Sequence, residues 1–114
     1  MPVLKIQTNR PMDETTKVTL LTEMSRTVAT ELGKPERYVM IAIEPVAAMM
    51  FAAETTPLAY LELKSIGLPV SRTATLSKAL CHLITKTLGI PGNRIYIEFA
   101  NAEGGLWGWN GGTF

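Results

Sequence analysis

The sequence predicts an α+β fold in which duplicated βαβ units form a four-stranded mixed sheet with two helices on one face. Three observations predict it. The segment Leu32-Gly33-Lys34-Pro35-Glu36-Arg37-Tyr38-Val39-Met40-Ile41 recurs in outline 56 residues later as Leu88-Gly89-Ile90-Pro91-Gly92-Asn93-Arg94-Ile95-Tyr96-Ile97. At the same offset the ladder Leu20, Met24, Val28, Leu32 recurs as Leu76, Leu80, Ile84, Leu88, an i, i+4 spacing that lines one apolar helix face. A short extended run stands before each ladder. With right-handed crossovers, two such units give a sheet that is ferredoxin-like in outline.

Element by element, Val3 to Thr8 is the first predicted strand. Asp13 or Thr15 is positioned to cap the helix that follows, because a short oxygen-bearing side chain satisfies the free N–H groups of a first turn. Gly33 suits the left-handed residue at the helix end, and Pro35 stops the helix from resuming. A strand from Tyr38 to Pro45 closes the first half. Ala47-Ala48-Met49-Met50-Phe51 reads as a short edge strand. The second half repeats the order: a strand from Ala59 to Ser65, a helix capped by Ser71 or Thr75, Gly89 and Pro91 as its stop, and a strand from Arg94 to Asn101. The tail from Leu106 to Phe114 reads as a glycine-rich hairpin or an arm that reaches a neighbour, since two tryptophans and a phenylalanine argue against disorder.

Two helices cover only one side of this sheet. Val39 to Ile43 and much of Ile95 to Phe99 are apolar on both alternating sets, so the other side asks for a cover. Further copies of the chain are the economical answer, and a homo-oligomer with inward-facing sheets is expected. At 114 residues the chain fits one domain, residues 1–114, able to bury roughly two thirds of its unfolded surface.

Composition narrows the function. Eleven basic and ten acidic side chains leave a net charge of +1, which gives no global attraction to phosphate backbones or anionic membranes. Cys81 and His82 are the only residues of their types; they offer no recognisable zinc-ligand spacing and no intrachain disulfide. No apolar run reaches the roughly 20 residues of a membrane span, and the N-terminus lacks the apolar stretch of a signal peptide. A soluble cytoplasmic protein follows, with unconventional secretion left open. RNA-recognition modules share the βαββαβ outline, but they stack bases on strand aromatics beside basic residues, and these strands carry no such run.

The second residue is the chemical lead. A small residue behind the initiator methionine normally lets Met1 be trimmed, which would leave Pro2 as a secondary-amine N-terminus. An α-amino group titrates near 8, and burial beside a cation lowers that value because both disfavour the charged form. The product is a base near neutrality, where proton transfer is most effective.

Met1-Pro2, Thr8-Asn9, Gly33-Lys34-Pro35 with Tyr38, Ser65-Ile66-Gly67, Arg94-Ile95-Tyr96-Ile97 and the ending Gly108-Trp109-Asn110-Gly111-Gly112-Thr113-Phe114 together resemble the macrophage migration inhibitory factor family of the tautomerase superfamily. The resemblance runs from end to end. It implies a trimer with three active sites at the subunit interfaces, no cofactor, and keto–enol tautomerisation of α-keto acids such as phenylpyruvate with Pro2 as the acid/base group. It makes Lys34 the holder of the substrate carboxylate and Ser65 and Ile66 part of the pocket lining. Tyr96 would reach the site from the adjacent subunit, and Trp107, Trp109 and Phe114 would build its aromatic wall.

The departures are as specific as the matches. Animal members carry a neutral amide at the position of Glu98, which contacts substrate; a carboxylate there repels an anionic α-keto acid and raises the Pro2 pKa, unless it pairs with Lys34 or Lys64. Animal members also have an aromatic residue at Ala100 and a smaller aliphatic one at Trp107, so the pocket rim is rebuilt. The family's Cys-x-x-Cys pair falls on Leu58 and Leu61, which removes the thiols needed for disulfide exchange. Because animal members act as cytokines, the competing expectation is a non-catalytic signalling or interaction protein with vestigial activity.

Overall fold

The computed structural model describes residues Met1 to Phe114. Strand β1 (Val3–Thr8) is followed by helix α1 (Glu14–Leu32), β2 (Met40–Pro45), β3 (Ala59–Ile66), helix α2 (Thr73–Leu88), β4 (Ile95–Ala102) and the short strands β5 (Gly108–Trp109) and β6 (Gly112–Thr113). The main sheet runs in the order β2-β1-β3-β4, and β5 and β6 form a separate hairpin. Strands β1 and β2 are parallel, as are β3 and β4, while β1 and β3 meet antiparallel in the middle. The duplicated βαβ units are therefore arranged about the central β1/β3 pair.

Alternation along the strands decides what each face carries. Leu4 and Ile6 of β1, and Ala59, Leu61 and Leu63 of β3, point into the core with Leu20, Met24, Val28, Leu76, Leu80 and Ile84 of the helices. Their register partners Ile41, Ile43, Ile97 and Phe99 pack on the same core from the edges. The opposite set, including Lys5, Glu62, Lys64, Tyr96 and Glu98, forms the uncovered face. That face is less apolar than the sequence predicts: Lys5 and Lys64 each lie 3.7 Å from Glu62. Strands β2 and β4, with their apolar runs, are edges, and the centre belongs to β1 and β3.

Asp13 caps α1, accepting a 2.7 Å hydrogen bond from the Thr16 N–H, and this backbone bond holds its carboxyl below the usual carboxylate range. Gly33 and Gly89 end the helices in the left-handed conformation, with φ of 63° and 71°. Neither Ser71 nor Thr75 caps α2. A 3-10 turn, Val70–Arg72, runs into its first residue instead, and the Thr73 hydroxyl donates back to the Val70 carbonyl at 2.8 Å. Strands β2 and β4 start later than predicted because 3-10 turns occupy Glu36–Tyr38 and Gly92–Arg94. The expected edge strand at 47–51 is absent: the segment lies in a loop whose one bridge joins Phe51 and Glu54.

Candidate active site

Pro2 is buried at the lip of β1, and its carbonyl accepts a 3.0 Å bond from the Met40 N–H. Continuing the pairing of Val3 with Lys64 places Ser65 across from Pro2 on the neighbouring strand. The same end of the sheet receives the chain leaving α1. Gly33 turns it back through its left-handed conformation, which brings Lys34 towards the N-terminus and lets the Tyr38 carbonyl accept a 3.1 Å hydrogen bond from the Met1 amine. That amine's pKa lies below its ordinary value, first because burial strips water from the charged form and second because the Lys34 ammonium repels it. Pro2 is the next residue along the chain and is itself buried.

A cavity of about 210 Å³ opens beside this amine. Met1, Val3, Tyr38, Met40, Trp107, Trp109 and Phe114 wall it, with Arg37 at the rim. The wall is built by the tail, whose hairpin of β5 and β6 folds onto its own chain: Tyr38 meets Trp109 and Phe114 edge-on at 5.6 and 5.7 Å, and those two rings stack at 5.4 Å. Gly104 makes the closure possible, because a Cβ there would stand 2.8 Å from the Phe114 carbonyl oxygen. The Arg37 guanidinium lies 4.8 Å from the centre of the Tyr38 ring, and no carboxylate pairs with it.

Of the residues singled out in the sequence, Pro2, Lys34, Trp107, Trp109 and Phe114 gather at this end, and of these only the three aromatics line the cavity. Ser65 and Ile66 reach the same end of the sheet but do not line the cavity; the Ser65 side chain is fully buried and its hydroxyl donates to the Ile66 carbonyl at 3.3 Å. Tyr96 and Glu98 stand apart. Tyr96 pairs in register with Tyr60 and through it with Gln7, five residues along β1 from Pro2, or about 16 Å at the rise of a strand. Tyr96 is 64% exposed, not buried as a lone strand aromatic would be. Glu98 is exposed on the uncovered face and pairs with neither Lys34 nor Lys64; Lys64 lies 3.7 Å from Glu62 instead.

Glu62 also accepts a 3.1 Å bond from the Tyr60 hydroxyl. Burial, then this bond and the Glu62 charge, then Glu98, push the Tyr60 phenol up. Cys81 is half-buried on α2 with its thiol pushed up by desolvation, which suits a packing residue better than a nucleophile. No group of three or more His, Cys, Asp or Glu side chains is placed to hold a metal ion. No helix is long and apolar enough to cross a membrane. The wall residues Tyr38 and Met40 were not among the residues expected to bind substrate. The register of Met40 against Val3 places Met40 on the uncovered face beside the N-terminus, and that alternation was the available signal.

The family described as macrophage migration inhibitory factor (MIF) matches residues 1–114. The chain belongs to this family, in the tautomerase superfamily. It is 39% identical to the macrophage migration inhibitory factor of Xenopus laevis over 100% of this chain and 99% of that protein. Among solved structures, a macrophage migration inhibitory factor homologue from Prochlorococcus marinus is 45% identical, with a TM-score of 0.92 over 98% of both chains. The Toxoplasma gondii macrophage migration inhibitory factor superposes with a TM-score of 0.94 at 30% identity, over 98% of this chain and 99% of that one. The MIF-type α+β fold and the potential for tautomerase chemistry follow from that membership.

Proposed function

We propose that this MIF-family protein is a keto–enol tautomerase of phenylpyruvate-type α-keto acids, with Pro2, exposed by removal of Met1, as the general acid/base. The observation that carries the reading is the Met1 amine next to Pro2: burial and Lys34 both lower its proton affinity, and a cavity walled by aromatic rings lies beside it; on loss of Met1 the Pro2 amine becomes the terminal one at this end. The Pro2 nitrogen takes a proton from the carbon next to the keto group. The C–H electrons become the carbon–carbon double bond, the keto oxygen takes up a proton, and the reverse steps restore the ketone. Lys34 holds the substrate carboxylate, and the Tyr38, Trp107 and Phe114 rings pack on the aromatic body.

In this reading the assembly is a trimer with inward-facing sheets, and Tyr96 and Glu98 enter each site from the adjacent subunit. Their distance from Pro2 within one chain and the exposure of Tyr96 favour that division. A second reading, a non-catalytic interaction protein, draws support from the unpaired carboxylate of Glu98, which opposes an anionic substrate.

The assay follows interconversion of enol and keto phenylpyruvate by protein whose intact mass shows Met1 removed. Turnover above the buffer rate is expected. A chain that keeps Met1 in the cell, or a rate equal to buffer, overturns the enzyme reading.

A further inference from the structure

The second half of the chain holds a cation whose hydrogen bonds are spent on one loop. Arg94 stands two residues before Tyr96, and its side chain is 13% exposed. The guanidinium donates to the carbonyls of Pro57 at 3.1 Å, Phe51 at 3.2 Å, Glu54 at 3.1 Å and Thr56 at 3.0 Å. A rigid fork with donors in several directions is what such a set needs, and an ammonium cannot reproduce it. The loop requires the support. Ala52 and Ala53 both adopt the left-handed region, with φ of 54° and 60°, which residues bearing a Cβ disfavour. Within the turn itself the backbone closes through the reciprocal 3.0 Å bonds between Phe51 and Glu54.

Phe51 connects this loop to Tyr96. The guanidinium carbon of Arg94 lies 5.5 Å from the centre of the Phe51 ring, and that ring meets Tyr96 at 4.5 Å with a 39° tilt. Phe51 is the one aromatic ring packed on Tyr96, whose hydroxyl makes no hydrogen bond within the chain and which is otherwise largely exposed. We infer that Arg94 is a positioning residue which, by fixing the 51–57 loop and hence the Phe51 ring, sets the orientation in which Tyr96 is presented to the substrate site of a neighbouring subunit. The inference rests on the proposed function in one respect, that Tyr96 enters that site.

The test is steady-state kinetics with phenylpyruvate on the assembled protein, comparing Arg94→Lys, Phe51→Leu, their double variant and Tyr96→Ala. If Arg94 positions Tyr96, Arg94→Lys and Phe51→Leu each raise KM about five- to tenfold with kcat changed less than about twofold, since the base itself is untouched. The double variant is then no worse than the worse single one, because both changes release the same ring. The pH profile stays in place. A residue that merely supports the fold lowers Tm and the active fraction, and so kcat, with KM unchanged, and that result overturns the inference. Should Arg94→Lys fail to fold, Phe51→Leu carries the same KM test. Tyr96→Ala separates the two levels: if it leaves KM and kcat unchanged, Tyr96 is not at the site and the underlying reading falls with the inference. If Tyr96→Ala raises KM while the Arg94 and Phe51 variants do not, only the positioning role falls.

Discussion

The two ends of the sheet are related by the internal repeat, and they have been put to opposite uses. At the offset of 56 residues, Pro2 corresponds to Leu58, Lys34 to Ile90, Tyr38 to Arg94, Met40 to Tyr96 and Phe51 to Trp107. At the first end, an amine of lowered pKa, with a lysine acting on it, stands beside a cavity walled by aromatic rings. At the second end, the same positions hold Leu58 and Ile90, 5% and 0% exposed, and an arginine tied to four backbone carbonyls. Each end is covered by the segment that follows the other half's outer strand: the tail after β4 packs on Tyr38, and the loop after β2 packs on Arg94 and Tyr96. One arrangement of backbone thus leaves a cavity beside an amine at one end, and buries leucine and isoleucine at the corresponding positions of the other.

The largest test of that contrast is Pro2→Ala. If the first end is the reactive one, turnover of phenylpyruvate falls by about a hundredfold or more, the scale of lost general acid–base catalysis, whereas equal rates would move the chemistry elsewhere. A mixing experiment asks whether the ends of different copies cooperate. Pro2→Ala and Tyr96→Ala proteins, unfolded together and refolded in equal amounts, regain about a quarter of wild-type activity if each site takes one residue from each of two randomly mixed subunits. Separately refolded proteins supply the baseline, and no gain over it means that both residues serve a site within one chain.

Lys34→Gln sharpens the electrostatic side. It lowers kcat/KM about tenfold by removing a charge-assisted contact to the substrate, and it shifts the pH profile with a definite sign. The amine must be neutral to act, and Lys34, which helps to lower the pKa of the Met1 amine, acts in the same direction on the Pro2 amine that replaces it. Removing that cation raises the pKa, so the acid limb of the rate profile moves to higher pH. An unmoved limb would assign the depression to burial alone.

At the second end, Asn9→Ala removes two bonds that tie β1 to the loop, from the Asn9 amide to the Thr55 carbonyl and from the Leu58 N–H to the Asn9 carbonyl oxygen. It should cost about 2 kcal/mol in denaturant unfolding, with a smaller loss of activity than any change at the first end. Glu98→Gln should have the smallest effect, a gain of about two- to fivefold in kcat/KM for anionic α-keto acids as a screened like charge is removed. No gain would place Glu98 outside the pocket.

What the sequence revealed divides along physical lines. The helices and their stops were legible because the apolar ladders, Gly33, Gly89 and the prolines act locally. The capping of α2 was not: the backbone of the Val70–Arg72 turn leads into the helix without the hydroxyl cap that Ser71 or Thr75 suggested. The apolar run Ala47 to Phe51 imitated a strand, but the loop is held by Arg94, some forty residues away, and no local pattern reports such a bond. Lys34 stood out only through the family resemblance, since a lysine after a helix C-terminus is ordinary electrostatics. The rim contributed by Tyr38 and Met40 needed the register of β2 against β1.

The central β1/β3 pair has a consequence for how the chain acquires its fold. Val3 meets Met40 through a helical crossover within one half, but it meets Lys64 only across the join between halves. Each half can gather its own helix and strands over shorter chain separations before the antiparallel seam closes, since loop-closure entropy favours the nearer contacts. Until then β1 and β3 each offer an unpaired edge of matching register. Two chains at high concentration can close those seams reciprocally, first half to second half, into an exchanged dimer that keeps every native strand pair. Dilution during refolding therefore favours the closed single chain over the exchanged one.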